Sequence, residues 1–345
     1  MSFDPRNILV IDFGQLGDVV MSLAALRAVR ERFPDARITV AVGKPGVPVI
    51  ELSGYANTTI SVDRVALRDG STLASIGRII KLIASVRKAK FDFVIDLHSL
   101  SETNLLGFLS GAPHRLYAHR QNRSLDYLAN FNPPPPREDR TRHAAQRYLD
   151  VLQPLGISNR SHAPYLKTNK AGDTAVEAML KKAKADSNSL LVGLFPGAGN
   201  ASRRWPMKNY AELADFLIRN NRVRVIVFSG PEEHELITKA KPMFPPDTIF
   251  FDQLPIPQLA SAQARLTLFV SNDTGPMHVA AAVGTPVVVI LDRPKPHEFT
   301  PVGEHHRLIG GQDINKITVD EVYKAAHELL ASNRTEKIFS RSEQS

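Results

Sequence analysis

The run NILVIDFGQLGDVVMSLAALRAVRERFPDARITVAV, residues 7–42, decides the fold. Asn7–Asp12 is a short, β-rich, nearly all-apolar stretch, the pattern of a strand buried on both faces. From Asp18 to Arg32, Val19, Leu23, Leu26 and Val29 recur at spacings of four, three and three, which is helical. The Phe-Pro-Asp turn follows, and Arg37–Val42 (RITVAV) is a second strand. Strand, helix, strand at this spacing predicts a parallel sheet covered by helices.

Working outward, Leu73–Lys88 reads as a basic amphipathic helix and Phe91–Leu97 (FDFVIDL) as a strand. The second half restarts the alternation. Strands are expected at Leu190–Pro196, Arg224–Ser229, Leu266–Ser271 and Pro286–Leu291. Helices are expected at Asn209–Asn220, Glu232–Lys241, Pro276–Val283 (stopped by Gly284) and Val319–Ala331. Residues 132–142, NPPPPREDRTR, interrupt the pattern and read as an extended surface loop. The expectation is α/β throughout: two doubly wound, Rossmann-like parallel-sheet domains facing across a cleft, residues 1–165 and 166–330, then a polar, disordered tail over 331–345.

The chain has 345 residues and 43% hydrophobic side chains, enough for two cores. It has no cysteine, so disulfide frameworks and thiolate chemistry are excluded. No apolar run reaches the ~20 residues of a membrane span, and the N-terminus does not read as a signal peptide; a cytoplasmic location is expected. Lys and Arg number 43 against 35 Asp and Glu, a net charge of +8. Most of that excess lies in residues 1–165, which suits an anionic partner or simply a basic surface. Nucleic acid is not expected as a partner, since aromatics are sparse and no recognition motif occurs.

Three strand-to-helix loops carry candidate chemistry. In the first, Phe13–Asp18, Gly14 and Gly17 allow backbone amides to approach a ligand beside Gln15. Asp18 stands at the helix start, either as an N-terminal cap or as a carboxylate able to take a proton from an acceptor hydroxyl. In the second, FPGAGNASRRWP (195–206), small residues including Ala198 and Gly199 precede Arg203 and Arg204, a plausible diphosphate clamp or a solvated surface loop. Trp205 reads as a packing anchor for the next helix. In the third, SNDTGPMH (271–278), Asp273 and Thr274 suit a helix cap, Gly275 a close backbone approach and Pro276 the first turn. His278 falls in that first turn, as a structural residue or a ligand contact. The chain has no Asp-x-Asp, no metal-ligand spacing, no Walker A loop and no Gly-x-Ser-x-Gly elbow.

In order, the segments ILVIDFGQLGDVVMSLAALRAVRERFPDARI, FPGAGNASRRWPMKNYAELADFL and VSNDTGPMHVAAAVGTPVVVIL resemble glycosyltransferase family 9, the ADP-heptose:lipopolysaccharide heptosyltransferases, over about residues 7–330. The resemblance implies a GT-B fold, acceptor on the first domain, nucleotide-sugar on the second, and inverting transfer without a metal or cofactor. It implies Asp18 as general base. It places Asp273, Thr274, Gly275 and His278 on the donor, Arg203 on its diphosphate where the family usually has lysine, and Glu233 on its nucleoside. Three positions depart from the family pattern: Asp12 replaces a basic residue, Gly14-Gln15 a Ser-Ser pair, and Ala198 and Gly199 small hydroxyl residues. The implied partners are ADP-heptose and an anionic glycolipid or glycan acceptor. The basic segment 73–90 reads either as a solvated helix face or as a peripheral contact with the cytoplasmic face of the inner membrane. The alternatives are a nucleotide-sugar epimerase of GT-B shape and a non-catalytic sugar-nucleotide or glycolipid binder.

Overall fold

The computed structural model describes residues 3–69, 71–120, 124–158, 161–185, 189–293, 297–303, 305–311 and 313–342. The chain divides into two compact units, Met1–Tyr165 and Leu166–Ser345.

In unit 1 the order is β1 (Asn7–Asp12), α1 (Leu16–Arg32), β2 (Arg37–Gly43), α2 (Val47–Ser53), β3 (Thr58–Val62), α3 (Arg64–Asp69) and α4 (Thr72–Lys88). Then come β4 (Phe93–Asp96), α5 (Ser101–Leu109), β5 (His114–Tyr117) and α6 (Ala144–Asp150). The five strands are all parallel, in the order β3-β2-β1-β4-β5. β1 sits centrally and is buried from Ile8 to Asp12, as its apolar run predicts. The chain builds the sheet outward from β1 to β3, then returns to add β4 on the other side. The switch point therefore lies between β1 and β4, where the diverging loops leave a crevice at the carboxyl ends.

Unit 2 contains α7 (Lys170–Lys182), β6 (Leu191–Phe195), α8 (Met207–Asn221), β7 (Arg224–Ser229), α9 (His234–Ala240), β8 (Ile249–Asp252) and α10 (Ile256–Ala264). It continues with β9 (Leu268–Asn272), α11 (Gly275–Ala282), β10 (Val287–Leu291), β11 (His306–Gly310) and α12 (Val319–Ser342). Its sheet is also all parallel, β11-β10-β9-β6-β7-β8, with the switch point between β6 and β9. Separate apolar clusters cover its two faces, one including Leu213, Leu217 and Val322, the other Phe228, Phe269 and Met277. Gly284 takes φ +87° just past α11, the left-handed stop its position implied.

Most boundaries shift by a residue or two from the sequence reading, and three of the differences bear on the site or the tail. α1 begins at Leu16, not Asp18, because Gln15 occupies the cap and Asp18 sits three residues inside. α9 begins at His234, with Glu233 at its cap. α12 does not end at Ala331 in a disordered tail; it stays helical to Ser342, since residues 332–342 contain neither Gly nor Pro. Residues 343–345 of that tail lie outside the described residues. The proline-rich segment 132–142 is a loop, as expected, with a single bridge from Arg137 to His119.

Candidate functional site

In unit 1 the β1–α1 loop turns at the switch point and is held from below. Asp12, fully buried at the end of β1, accepts from Gly14 N at 2.9 Å. Arg64 donates to the Phe13 carbonyl on the other side of the loop. Glycine is required at position 14: a Cβ there would collide with Asp18 Cβ and stand 3.0 Å from Asp12 Oδ1. Asp18 lies directly over this turn, half-buried, and accepts from Gln15 N at 2.9 Å. One Asp18 oxygen closes the first turn of α1, and the carboxyl group stands half-buried beside Gly14 at the carboxyl end of β1.

The electrostatics separate the two aspartates. Burial pushes Asp18 above the usual carboxylate range, opposed by Gln15 N and reinforced by the charge of Asp12, while His98 and Arg120 pull it back. Burial would raise Asp12 too, but hydrogen bonding and charge from His98, with Ser22 and Gly14 N, outweigh it and hold Asp12 low. His98 follows β4, across the switch point, with Nδ1 3.6 Å from Asp12 Oδ1. Asp96 anchors that second loop, accepting from Ser99 N (2.7 Å), His98 N (3.1 Å) and Asn104 Nδ2 (2.8 Å). Tyr148 on α6 is buried near both Asp12 and Asp18, and their charges add to the burial that raises its phenol. A carboxylate with a raised pKa in a crevice, flanked by an ionised aspartate and an imidazole, is suited to accepting a proton.

In unit 2 the second and third loops meet at the other switch point. Asn272, fully buried at the end of β9, joins them: its Nδ2 donates to the carbonyls of Pro196 (2.9 Å) and Gly197 (3.0 Å), and its Oδ1 accepts from Trp205 N (3.1 Å). Trp205 is the packing anchor expected, 1% exposed, edge-on to Tyr210 and donating from Nε1 to the Ile317 carbonyl at 2.8 Å. Arg204 Nε donates to Ala198 O at 2.9 Å. Ala198 is wholly buried, so of the two small residues only Gly199 lies open at the loop surface.

Arg203 is half-exposed, with Nε 3.7 Å from Asp292 Oδ2. Asp273 is bound by Arg293 Nη2 at 2.5 Å, and Arg293 Nη1 also meets Asp292 Oδ1 at 3.2 Å. Burial, with Asp292 close by, raises Asp273 despite the cations Arg293 and Arg203. Thr274 is the cap position of α11 by geometry, yet its side chain makes no capping bond; Gly275 and Pro276 form the first turn, and the N–H end of the helix faces the same loops. His278 is 6% exposed and buried one turn in. Glu233 packs directly on Gly197, and its Oε2 accepts from Gly230 N at 3.2 Å; burial raises its carboxyl. The structure therefore groups Gly14, Gln15, Gly17 and Asp18 at one switch point. At the other it groups Ala198, Gly199, Arg203, Glu233, Asp273, Thr274, Gly275 and His278.

Sequence reasoning missed Asp12 as a loop anchor, and missed His98, Asp96, Asn272, Asp292 and Arg293. Each stands at or just beyond a strand's carboxyl end, a signal that acquires meaning only once strand order is known. Among the described residues no group of three or more His, Cys, Asp or Glu could hold a metal ion. No helix among them is long and apolar enough to cross a membrane.

Two all-parallel doubly wound units, each with its polar loops at a switch point, define the GT-B class of glycosyltransferase architecture. The solved glycosyltransferase family 9 protein of Veillonella parvula superposes with a TM-score of 0.83 at 25% identity, over 96% of this chain and 99% of that one. The ADP-heptose lipopolysaccharide heptosyltransferase II of Escherichia coli superposes at 0.79 and 23% identity, over 95% and 99%. In sequence, lipopolysaccharide heptosyltransferase 2 of Salmonella typhimurium is 26% identical over 94% of this chain and 99% of its own length. The family model for glycosyltransferase family 9 (heptosyltransferase) matches residues 79–327, and the chain belongs to that family. It is a glycosyltransferase.

Proposed function

We propose that the chain transfers a heptose from ADP-heptose to a lipopolysaccharide-core acceptor with inversion at the anomeric carbon. Unit 1 presents the acceptor and unit 2 the donor. The acceptor hydroxyl oxygen attacks the anomeric carbon while Asp18 takes its proton. The bond from that carbon to the diphosphate oxygen breaks, and the electron pair leaves with ADP. Arg203, Arg293 and the N–H end of α11 meet the charge that develops on the diphosphate, so no metal is required. The side chains of Asp273 and His278 address the sugar and diphosphate, and Glu233 the nucleoside.

The observation that carries this reading is Asp18: a buried-edge carboxylate, raised in pKa, whose orientation is set by the backbone of its own loop. The heptosyltransferase names of the similar proteins support the donor and acceptor.

The test is release of ADP from ADP-heptose with and without a deacylated lipopolysaccharide core, in the presence of EDTA. Acceptor-dependent release in EDTA is expected. Asp18→Asn keeps an oxygen for Gln15 N, so folding stability is retained, while turnover falls by about 10²–10⁴-fold. The acid limb of the wild-type rate profile lies above the usual carboxylate range, because the base must be ionised and burial raises its pKa. Full activity in Asp18→Asn removes the base assignment. Acceptor-independent conversion of a UDP-sugar replaces the reading with epimerisation.

A further inference from the structure

Exposed apolar side chains are concentrated on one face of unit 1. Among the described residues, seven of the ten large hydrophobics classed as exposed lie on α3, α4 and α5. They include Val65 on α3, Leu73, Ile76 and Ile80 on α4, and Leu105 and Phe108 on α5; Leu73 is 84% exposed and Ile80 61%. Leu73, Ile76 and Ile80 follow an i, i+3, i+7 spacing and form one strip along the first half of α4, while the single fully buried side chain, Val86, is in its last turns. An Arg78 bond to the Ala66 carbonyl (2.9 Å) fixes α4 against α3. Beside the strip runs a groove of about 1070 Å³, apolar along Val65, Ile79, Leu82 and Leu105, with Asp63, Arg64, Arg78 and Glu102 also on its walls, and ending at Phe13–Gln15.

Every charged side chain on the same helix is basic. Arg78, Lys81, Arg87 and Lys88 are exposed, Lys90 follows, and residues 70–91 contain no Asp or Glu. An apolar strip edged by cations, on a helix of 17 residues and hence about 25 Å long, has the form of an element lying in a bilayer interface. Lysine stems on such a helix can lie along apolar surface while their ammonium groups reach lipid phosphates. A second copy of the chain is disfavoured as the occupant, because pairing this face with itself would oppose cation to cation across apolar contacts.

We propose that the α3–α4–α5 face is a docking surface for an anionic lipid bilayer, with Leu73, Ile76 and Ile80 entering the interface and Lys81 and Lys88 meeting lipid phosphates. Docking there holds the outer end of the groove against the leaflet and its inner end at the Asp18 loop. The inference stands on the surface itself and holds whichever sugar is transferred.

The test is co-sedimentation of the purified full chain with phosphatidylglycerol–phosphatidylethanolamine vesicles and with phosphatidylcholine vesicles, at low and high salt. Binding to the anionic vesicles alone, weakened by salt, is expected. Lys81→Ala with Lys88→Ala lowers partitioning about 30-fold, from the attraction of roughly 1 kcal/mol per basic side chain. Ile76→Ser with Ile80→Ser lowers it on the order of tenfold, through lost apolar burial. Both pairs are exposed, so unchanged thermal midpoints and ADP-induced stabilisation verify the fold. Absence of binding to anionic vesicles, or equal binding to phosphatidylcholine, overturns the proposal. So does undiminished binding of the Ile76/Ile80 variant, which would leave charge adsorption without insertion. A lipid-free wild-type dimer that the isoleucine pair abolishes would make the face a self-interface and overturn it equally.

Discussion

Replacing Asn272 with alanine tests whether one buried amide holds the unit 2 loops together. The substitution deletes two donated bonds, of 2.9 and 3.0 Å, and one accepted bond of 3.1 Å, all at a fully buried residue. Left behind are the carbonyls of Pro196 and Gly197 and the N–H of Trp205. At about 1–2 kcal/mol for each buried group left without a partner, the loss is roughly 3–6 kcal/mol. Urea denaturation followed by Trp205 fluorescence reads it directly, since this is the only tryptophan and it reports on unit 2. With the loops untied, stabilisation by ADP should fall as well. Asn272→Asp sharpens the test: one oxygen keeps the acceptor for Trp205, but the other is turned toward two carbonyls. It should be as unstable as alanine at neutral pH and recover as acid protonates the carboxyl. A loss below about 1 kcal/mol for Asn272→Ala, with stabilisation by ADP intact, would refute the reasoning.

Two further perturbations have signs fixed by the structure. Burial pushes Asp96 up to about 6 against a reference of 3.8, so the folded state binds that proton more tightly than the unfolded chain. Stability attributable to Asp96 is therefore full below pH 3.8 and lost as pH rises through 6, by about 3 kcal/mol; the gap between wild type and Asp96→Asn across pH 4–7 measures it, and parallel curves would contradict it. At Gly197 a Cβ would stand 2.5 Å from Glu233 Cδ and 2.6 Å from its Oε1. Gly197→Ala should cost about 1–3 kcal/mol by overpacking, and Glu233→Ala in the same chain should recover much of it, read as a double-mutant cycle in thermal unfolding.

The parts of the fold legible in the sequence are those where burial and local chemistry agree. β1 and β10 are apolar along almost their whole length because both faces are covered, and their sequences show it. Edge strands β3 (TTISV) and β5 (HRLY) are partly exposed and carry polar residues, so no periodicity marked them. Glycine loops were visible because glycine advertises close backbone approach, and Gly14 and Gly197 do pack against Asp18 and Glu233. The start of α1 was misplaced because its cap pairs a backbone N–H of Gln15 with the side chain of Asp18, so the cap residue itself carries no Ser, Thr, Asp or Asn signature. His98, Asn272 and Arg293 were illegible for a different reason. Their partners Asp12, Pro196 and Asp273 are brought close only by strand order, which no local pattern encodes.

The switch-point placement of both loop pairs has a consequence for recombination. Between the two lips of the unit 1 crevice, Gly14–Asp18 and His98, the chain lays down β2, α2, β3, α3, α4 and β4; between those of unit 2, Gly197–Arg204 and Asp273, it lays down α8, β7, α9, β8, α10 and β9. A break between α3 and α4 would divide one crevice into halves carried by different polypeptides, neither holding both polar partners. Such a split enzyme would be silent until its pieces reassociated, which makes that connection a natural joint for building a two-component reporter from this scaffold.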